Sequence, residues 1–282
     1  MKNVLFATTA LIATAGVASA DVTVGGNAFM GVIYNAGDAT TVASTDVAHS
    51  VRVTFGASVE TDAGVTFGAS SRITESNNGN NGQMEHGQVN MSSGGFTLRV
   101  GATHGAMRNT ARVTTYLGFN RGGVVGNDNS TANTQTDGGN NVLVMYSMGD
   151  LTLAASTDAA GNAQEVGVAY TMNGFTLGLG ANADNDAATD TEWMFKAGYN
   201  GGNYAANIGL NSDNDAVVTF SYDISDATAL AIGAEFSTAN GTTTTDYMGV
   251  QVSHDLGGAS LVGTLGQNNS VTVAGLGVSF GF

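Results

Sequence analysis

Along most of the chain, apolar residues alternate with small or polar ones at a period of two. The last nine residues set the pattern. Ala274, Leu276, Val278, Phe280 and Phe282 fall on one face, and Gly275, Gly277, Ser279 and Gly281 fall on the other. Such a strand has one greasy face and one face of little more than backbone and hydroxyl. Sixteen segments of this kind follow one another from Val22–Tyr34 to Val271–Phe282. In the second, Val47–Glu60, the row Val47, His49, Val51, Val53, Phe55, Ala57 and Val59 opposes Ser50, Arg52, Thr54 and Ser58. In the third, Phe67, Ala69 and Ile73 oppose Ser70, Arg72 and Thr74. In the fifth, Phe96–Thr103, the row Phe96, Leu98 and Val100 opposes Thr97, Arg99 and Thr103. The fourth is read as Glu85–Met91 and the tenth as Glu192–Asn200, with Trp193, Phe195 and Tyr199 on its apolar face.

The connectors alternate in length. Thr61-Asp62, Gly149-Asp150, Asn173-Gly174 and Gly201-Gly202 are short and carry residues that accept the positive φ of tight hairpins. Asn35–Asp46, Ser76–Met84, Ala183–Thr191 and Thr238–Asp246 are longer and polar. A soluble sandwich would also alternate, but its connectors would be less regular, and so few bulky residues could not fill its core. A closed antiparallel barrel with lipid outside and water inside accounts for the pattern. Its short turns lie at one end and its loops at the other, and an even strand count lets first and last strands pair. Tyr34, Tyr170, Trp193, Tyr199, Tyr204, Tyr222, Tyr247 and Phe282 sit near strand ends, where aromatic girdles settle at the headgroups.

Composition sharpens this picture. Lys2, the apolar run Val4–Val17 and the small residues Ala18-Ser19-Ala20 form a secretory signal, so residues 1–20 are expected to be removed and the barrel to begin at Asp21 and run to Phe282. Beyond it no run is long and apolar enough for a membrane helix. There is no Cys, which removes disulfides and thiolate chemistry, and no Pro. Gly is 41 of 282, about twice ordinary usage, which suits closely packed strands and turns better than helices. The formal net charge is −15, or −16 once Lys2 leaves with the signal, which argues against nucleic acid as a partner.

One segment breaks the pattern. His104–Asn140 spans 37 residues, far beyond any other connector, and Val113–Phe119 within it is apolar enough to pack on something. It is expected to fold into the lumen and narrow it. All six arginines lie between residues 52 and 121. Arg52, Arg72 and Arg99 face inward on the wall, while Arg108, Arg112 and Arg121 lie in the long segment with Asp128 and Asp137. Arginines inside a membrane barrel require water around them, and charges facing across a constriction filter solutes. The same wall arginines could instead pair with Asp128 and Asp137. Other chemistry is thin. His49, His86, His104 and His254 lack metal-ligand spacing, and no serine sits in a nucleophile elbow. Asp184-Asn185-Asp186 and Asp213-Asn214-Asp215 offer oxygen ligands for calcium but lack the twelve-residue loop with its closing Glu. No cofactor is expected beyond that loop calcium.

The run Glu60-Thr61-Asp62-Ala63-Gly64-Val65-Thr66-Phe67-Gly68-Ala69 and the ending Gly277-Val278-Ser279-Phe280-Gly281-Phe282 resemble the general porins of the Gram-negative outer membrane, the alphaproteobacterial sixteen-stranded type above all. The resemblance implies a homotrimer of water-filled barrels, a third loop folded inward, and basic wall residues at Arg52, Arg72 and Arg99 facing an acidic loop. It also makes Phe282 the mark read during barrel assembly. The loop here departs from the family, with three arginines against two aspartates. The resulting expectation is a non-enzymatic channel for passive diffusion of small hydrophilic solutes and ions. The alternative is a structural or adhesive outer-membrane barrel whose surface loops bind.

Overall fold

The computed structural model describes residues 20–38, 42–77, 81–120, 123–131, 134–135, 141–161, 163–184, 191–239 and 242–282. Sixteen strands form one closed antiparallel barrel in sequence order. They are β1 (Asp21–Asn35), β2 (Ser44–Glu60), β3 (Thr66–Ser76), β4 (Asn81–Ser93), β5 (Phe96–Gly101), β6 (Asn141–Met148), β7 (Leu151–Asp158) and β8 (Ala163–Met172). After them come β9 (Phe175–Asp184), β10 (Trp193–Asn200), β11 (Tyr204–Asn211), β12 (Ala216–Ser225), β13 (Thr228–Ala239), β14 (Thr242–Asp255), β15 (Ser260–Asn268) and β16 (Val271–Gly281). Among the described residues one short helix, α1 (Ala106–Ala111), lies in the β5–β6 connection.

The seam joins β1 to β16 with partners running from Asn27↔Gly281 to Asn35↔Val273. Phe282 extends it. Its N–H donates to the Gly26 carbonyl at 3.0 Å and its carbonyl accepts from the Gly26 N–H at 2.7 Å. The terminal ring lies over Gly26, where a Cβ would stand 2.6 Å from its Cζ, so glycine is needed there. Closure leaves no strand edge for another chain to pair with.

Every strand contributes exposed large apolar side chains, and they fall on alternate positions. Phe175, Leu177 and Leu179 of β9 and Leu276 and Phe280 of β16 are examples. Soluble proteins rarely expose contiguous apolar patches above a few hundred Å². A band running around a whole barrel is a lipid-facing surface. The buried hydrophobic residues, by contrast, gather around the β5–β6 segment on the opposite face.

Several expectations need correction. The fourth strand runs over Asn81–Ser93 rather than Glu85–Met91, because register shifts against β3 break the alternation there, and His86 takes φ +57°. The fifth ends at Gly101, not Thr103. Gly101 adopts φ +110°, open to glycine alone, and the chain leaves the wall. The expected loops Ser76–Met84 and Thr238–Asp246 are largely strand, and the β13–β14 ladder continues to Ala239↔Thr242. Runs of Thr favour extended backbone whatever their polarity. The connections at 240–241 and at Asn269-Ser270 are as short as those of the other end, so loop length alternates less strictly than the sequence suggested. Tyr247 belongs to the inward row, since its neighbours Met248 and Val250 carry the outward exposure and Tyr247 packs on the interior cluster.

Candidate pore constriction

The segment after β5 lies against the wall face opposite the exposed apolar rows, and glycines make the track. Gly178 and Gly180 alternate with outward Leu177 and Leu179. A Cβ on Gly178 would overlap the Thr110 carbonyl oxygen, and one on Gly180 would stand 2.8 Å from the Met107 Cα. Gly167, Gly209, Gly233, Gly249, Gly266, Gly275, Gly277 and Gly31 repeat this on β8, β11, β13, β14, β15, β16 and β1. Backbone can approach a wall this closely only where the wall has no side chains.

Two structures within the segment use that track. In α1, Ala106, Met107, Thr110 and Ala111 are buried, with Met107 and Ala111 packed on Met194. Its first amides are held by the wall. Ala106 N–H donates to Ser156 Oγ at 2.8 Å, and Met107 N–H donates to Glu165 Oε2 at 2.9 Å. The other Glu165 oxygen accepts from Gln135 N–H at 2.6 Å, so one buried carboxylate ties down both limbs of the segment. Between them a hairpin forms. Leu117 N–H donates to Val125 O at 2.8 Å and Thr115 N–H to Asn127 O at 2.8 Å. Leu117, Phe119, Val124 and Val125 pack against Ala48, Val262, Val273, Phe29 and Ile33 of the wall. Phe119 meets Phe29 edge-on with ring centroids 5.8 Å apart. The apolar stretch expected over Val113–Phe119 thus contributes Val113, Leu117 and Phe119 to the buried set. Polar clamps finish the attachment. Gly118 N–H donates to Gln251 Oε1 at 2.6 Å, Asn127 Nδ2 to Glu235 Oε1 at 3.1 Å, Asn268 Nδ2 to Val124 O at 3.0 Å, and Thr131 Oγ1 to Glu192.

The wall arginines come together. Arg52, Arg72 and Arg99 line one cavity of about 230 Å³ with Ser70, Ser71, His86, Gln88, Thr103, His104 and Asn109. Arg52 Nε donates to Thr74 Oγ1 at 3.3 Å, and Arg72 lies 3.5 Å from Glu85. Asp128 is not their partner. It sits 2.9 Å from Arg108 and 3.2 Å from Arg112, both within its own segment. Arg112 stacks 5.9 Å above the Tyr116 ring, whose hydroxyl donates to Asp128 at 3.3 Å. Burial, with Asp128 beside it, pushes the Tyr116 phenol up, which keeps it neutral and able to donate. Arg121 and Asp137 lie outside the described residues, as do Asn185 and Asp186 of the first acidic loop. In the second, Asp215 accepts from Asn211 Nδ2 at 3.0 Å, and among the described residues no group of three His, Cys, Asp or Glu could hold a metal ion.

Burial works against the Asp128 charge. The hydrogen bonds from Ser130 and the Arg108 and Arg112 guanidiniums outweigh it and hold the carboxyl below the usual carboxylate range. A folded pKa below the unfolded one gives stability that is present above the ordinary value and lost as pH falls through the depressed one. Channel current is therefore expected to stay quiet from neutral pH to about 4 and to grow noisy below it, as the clamp protonates. Asp128→Asn should be noisy at neutral pH. Current-noise recordings across pH check this, and an Asp128→Asn channel as quiet as wild type at neutral pH would count against the clamp.

The anchors are not announced by the sequence. Glu165, Glu192 and Glu235 carry no motif, and an inward glycine row reads as open wall. The available signal is parity: Glu165 shares the inward row of β8 with Gly167, Glu235 that of β13 with Gly233, and Glu192 precedes β10 in step with buried Met194.

Comparison with known proteins bears on the whole chain. The family model described as Gram-negative porin matches residues 7–281. The porin of Rhodobacter capsulatus is 31% identical over 313 aligned residues, covering 93% of this chain and 100% of that protein. Among solved structures, a mutant of the Rhodopseudomonas blastica porin superposes with a TM-score of 0.72 at 18% identity, covering 93% of this chain and 100% of its own. A triple mutant of the same porin gives 0.70 at 18%, with the same coverage. At that identity the structural likeness speaks for the fold.

Proposed function

The chain belongs to the Gram-negative porin family, and from that premise we propose that its constriction lies between the arginine wall of β2–β5 and the segment 102–135. The protein is an outer-membrane channel for passive diffusion of small solutes. The observation that carries the constriction is the shared cavity of Arg52, Arg72, Arg99, His104 and Asn109, where wall and segment face each other. We assign Arg108 and Arg112 to the segment side of the constriction, and Arg121, Asp128 and Asp137 to the same loop. The reading extends to three copies per assembly, which the family resemblance supports. It also extends to removal of residues 1–20, which fits β1 beginning at Asp21.

Protein purified from outer membranes and added to planar bilayers tests all parts together. Its first residue should be Asp21, and conductance should arrive in groups of three equal steps. Folded protein that never conducts would sink the channel, single ungrouped steps would sink the trimer, and an N-terminus at Met1 would sink the signal.

A further inference from the structure

The hairpin inside the segment alternates as the wall does. Val113, Thr115, Leu117 and Phe119 are buried against the barrel, so Thr114 and Tyr116 turn the other way, into the lumen. Tyr116 is 39% exposed there. Among the described residues, every other aromatic of like exposure stands on the outward row of the wall. One exposed ring on an outer surface needs no explanation. A ring inside the water path meets every solute that passes.

This ring is also held. Its hydroxyl donates to Asp128 Oδ2 at 3.3 Å, and Arg112, 3.2 Å from the same carboxylate, lies 5.9 Å from the ring centroid. Fixed at its tip and over its face, the ring loses little freedom when a solute lies against it. The guanidinium already on the ring repels a second cation but not the C–H face of a neutral solute. Groups that bond hydroxyls stand next to it. Thr114 shares its face of the hairpin, and the Thr114 hydroxyl has no partner among the described residues. Arg112 is part-exposed and keeps N–H donors beyond its contact with Asp128.

We propose that Tyr116 is a stacking platform for pyranose sugars inside the channel, with Thr114 and Arg112 bonding their hydroxyls. The proposal deepens the reading of the barrel as an open diffusion channel and rests on it. A pyranose has the matching chemistry. Its axial C–H groups make an apolar face that fits an aromatic ring, and its hydroxyls lie around the edge. An open-chain hexitol of like size carries the hydroxyls without the flat face. The passage therefore retains ring sugars and lets hexitols through without holding them.

The test is the ion current through the full-length channel in planar bilayers, titrated with methyl glucoside or with sorbitol and corrected for viscosity. A bound sugar obstructs the current, so methyl glucoside should lower wild-type conductance along a saturating curve, and sorbitol should not. Tyr116→Leu should raise the half-saturating sugar concentration about two- to tenfold. Tyr116→Phe should stay within about twofold of wild type, because it keeps the ring. Tyr116→Trp, with a larger face, should bind more tightly. The difference between sugar and hexitol is read within each variant, so a change of pore width alone does not produce it. Equal responses to both solutes in wild type overturn the platform, as does an unchanged half-saturation in conducting Tyr116→Leu or Tyr116→Trp. Loss of the sugar response in Tyr116→Phe would assign it to the Asp128 contact and overturn the platform too. A wild type that never conducts would fail the channel reading, and the platform with it.

Discussion

Glu165→Ala is expected to release the inward segment and raise single-channel conductance severalfold, while the barrel stays closed. Glu165 is 1% exposed and accepts the Met107 and Gln135 amides at 2.9 Å and 2.6 Å, with Ser156 Oγ at 3.4 Å. Removing the carboxylate leaves two buried N–H groups without an acceptor, at about 1–3 kcal/mol each. That cost falls on the segment, because the ladders of β8 with β7 and β9 are made by backbone. The segment can shed the cost by leaving the wall and exposing those amides to water. Glu165→Gln keeps one acceptor oxygen and should fall between the two. Conductance recordings, with limited proteolysis of residues 102–135, measure the effect. Wild-type conductance with wild-type protease resistance in Glu165→Ala would show that the apolar tongue holds the segment alone.

How much of this could be read in advance differs between wall and segment. The wall was legible because a strand about ten residues long between turn signals carries its facing in its parity. Parity sets Arg52, Arg72 and Arg99 opposite the apolar rows of their strands, and the three line one cavity. Parity fails where the ladder slips. The shifts between Ser70 and Arg72 against β4 hid the start of that strand, whereas Tyr247 obeys its parity: it alternates with outward Met248 and Val250 and so turns inward, although its place near a strand end suggested the girdle. The segment was illegible for another reason. Asp128 meets Arg108 and Arg112 only because Thr114 pairs with Asp128 in the hairpin, and no local pattern announces that register. The pairing overturned the reading in which Asp128 faced the wall arginines. Likewise an inward glycine row reads the same whether water or a folded loop lies over it.

That ambiguity makes Gly178→Val the sharper probe of the glycine track. Gly178 pairs with Lys196 and Ala169 in the middle of two ladders, so the wall cannot retreat without breaking backbone bonds on both sides. Its missing Cβ would overlap the Thr110 carbonyl and stand 3.2 Å from the Ala111 Cα. The clash is with backbone, which no rotamer change relieves, so α1 must lift from β9. Overpacking of this kind costs about 1–3 kcal/mol while the contacts persist. Conductance should rise severalfold, as for Glu165→Ala. Gly263→Val is the control. Gly263 lies on the lipid face of β15 with its nearest neighbour at 3.9 Å, and its conductance should match wild type. The two released states are the same state, so the effects cannot add. Glu165→Ala with Gly178→Val should conduct no more than the larger of the two singles, a coupling that a double-mutant cycle reads directly. Additive increases would mean that the carboxylate and the glycine hold different parts of the segment, and that α1 can lift while Gln135 stays bound.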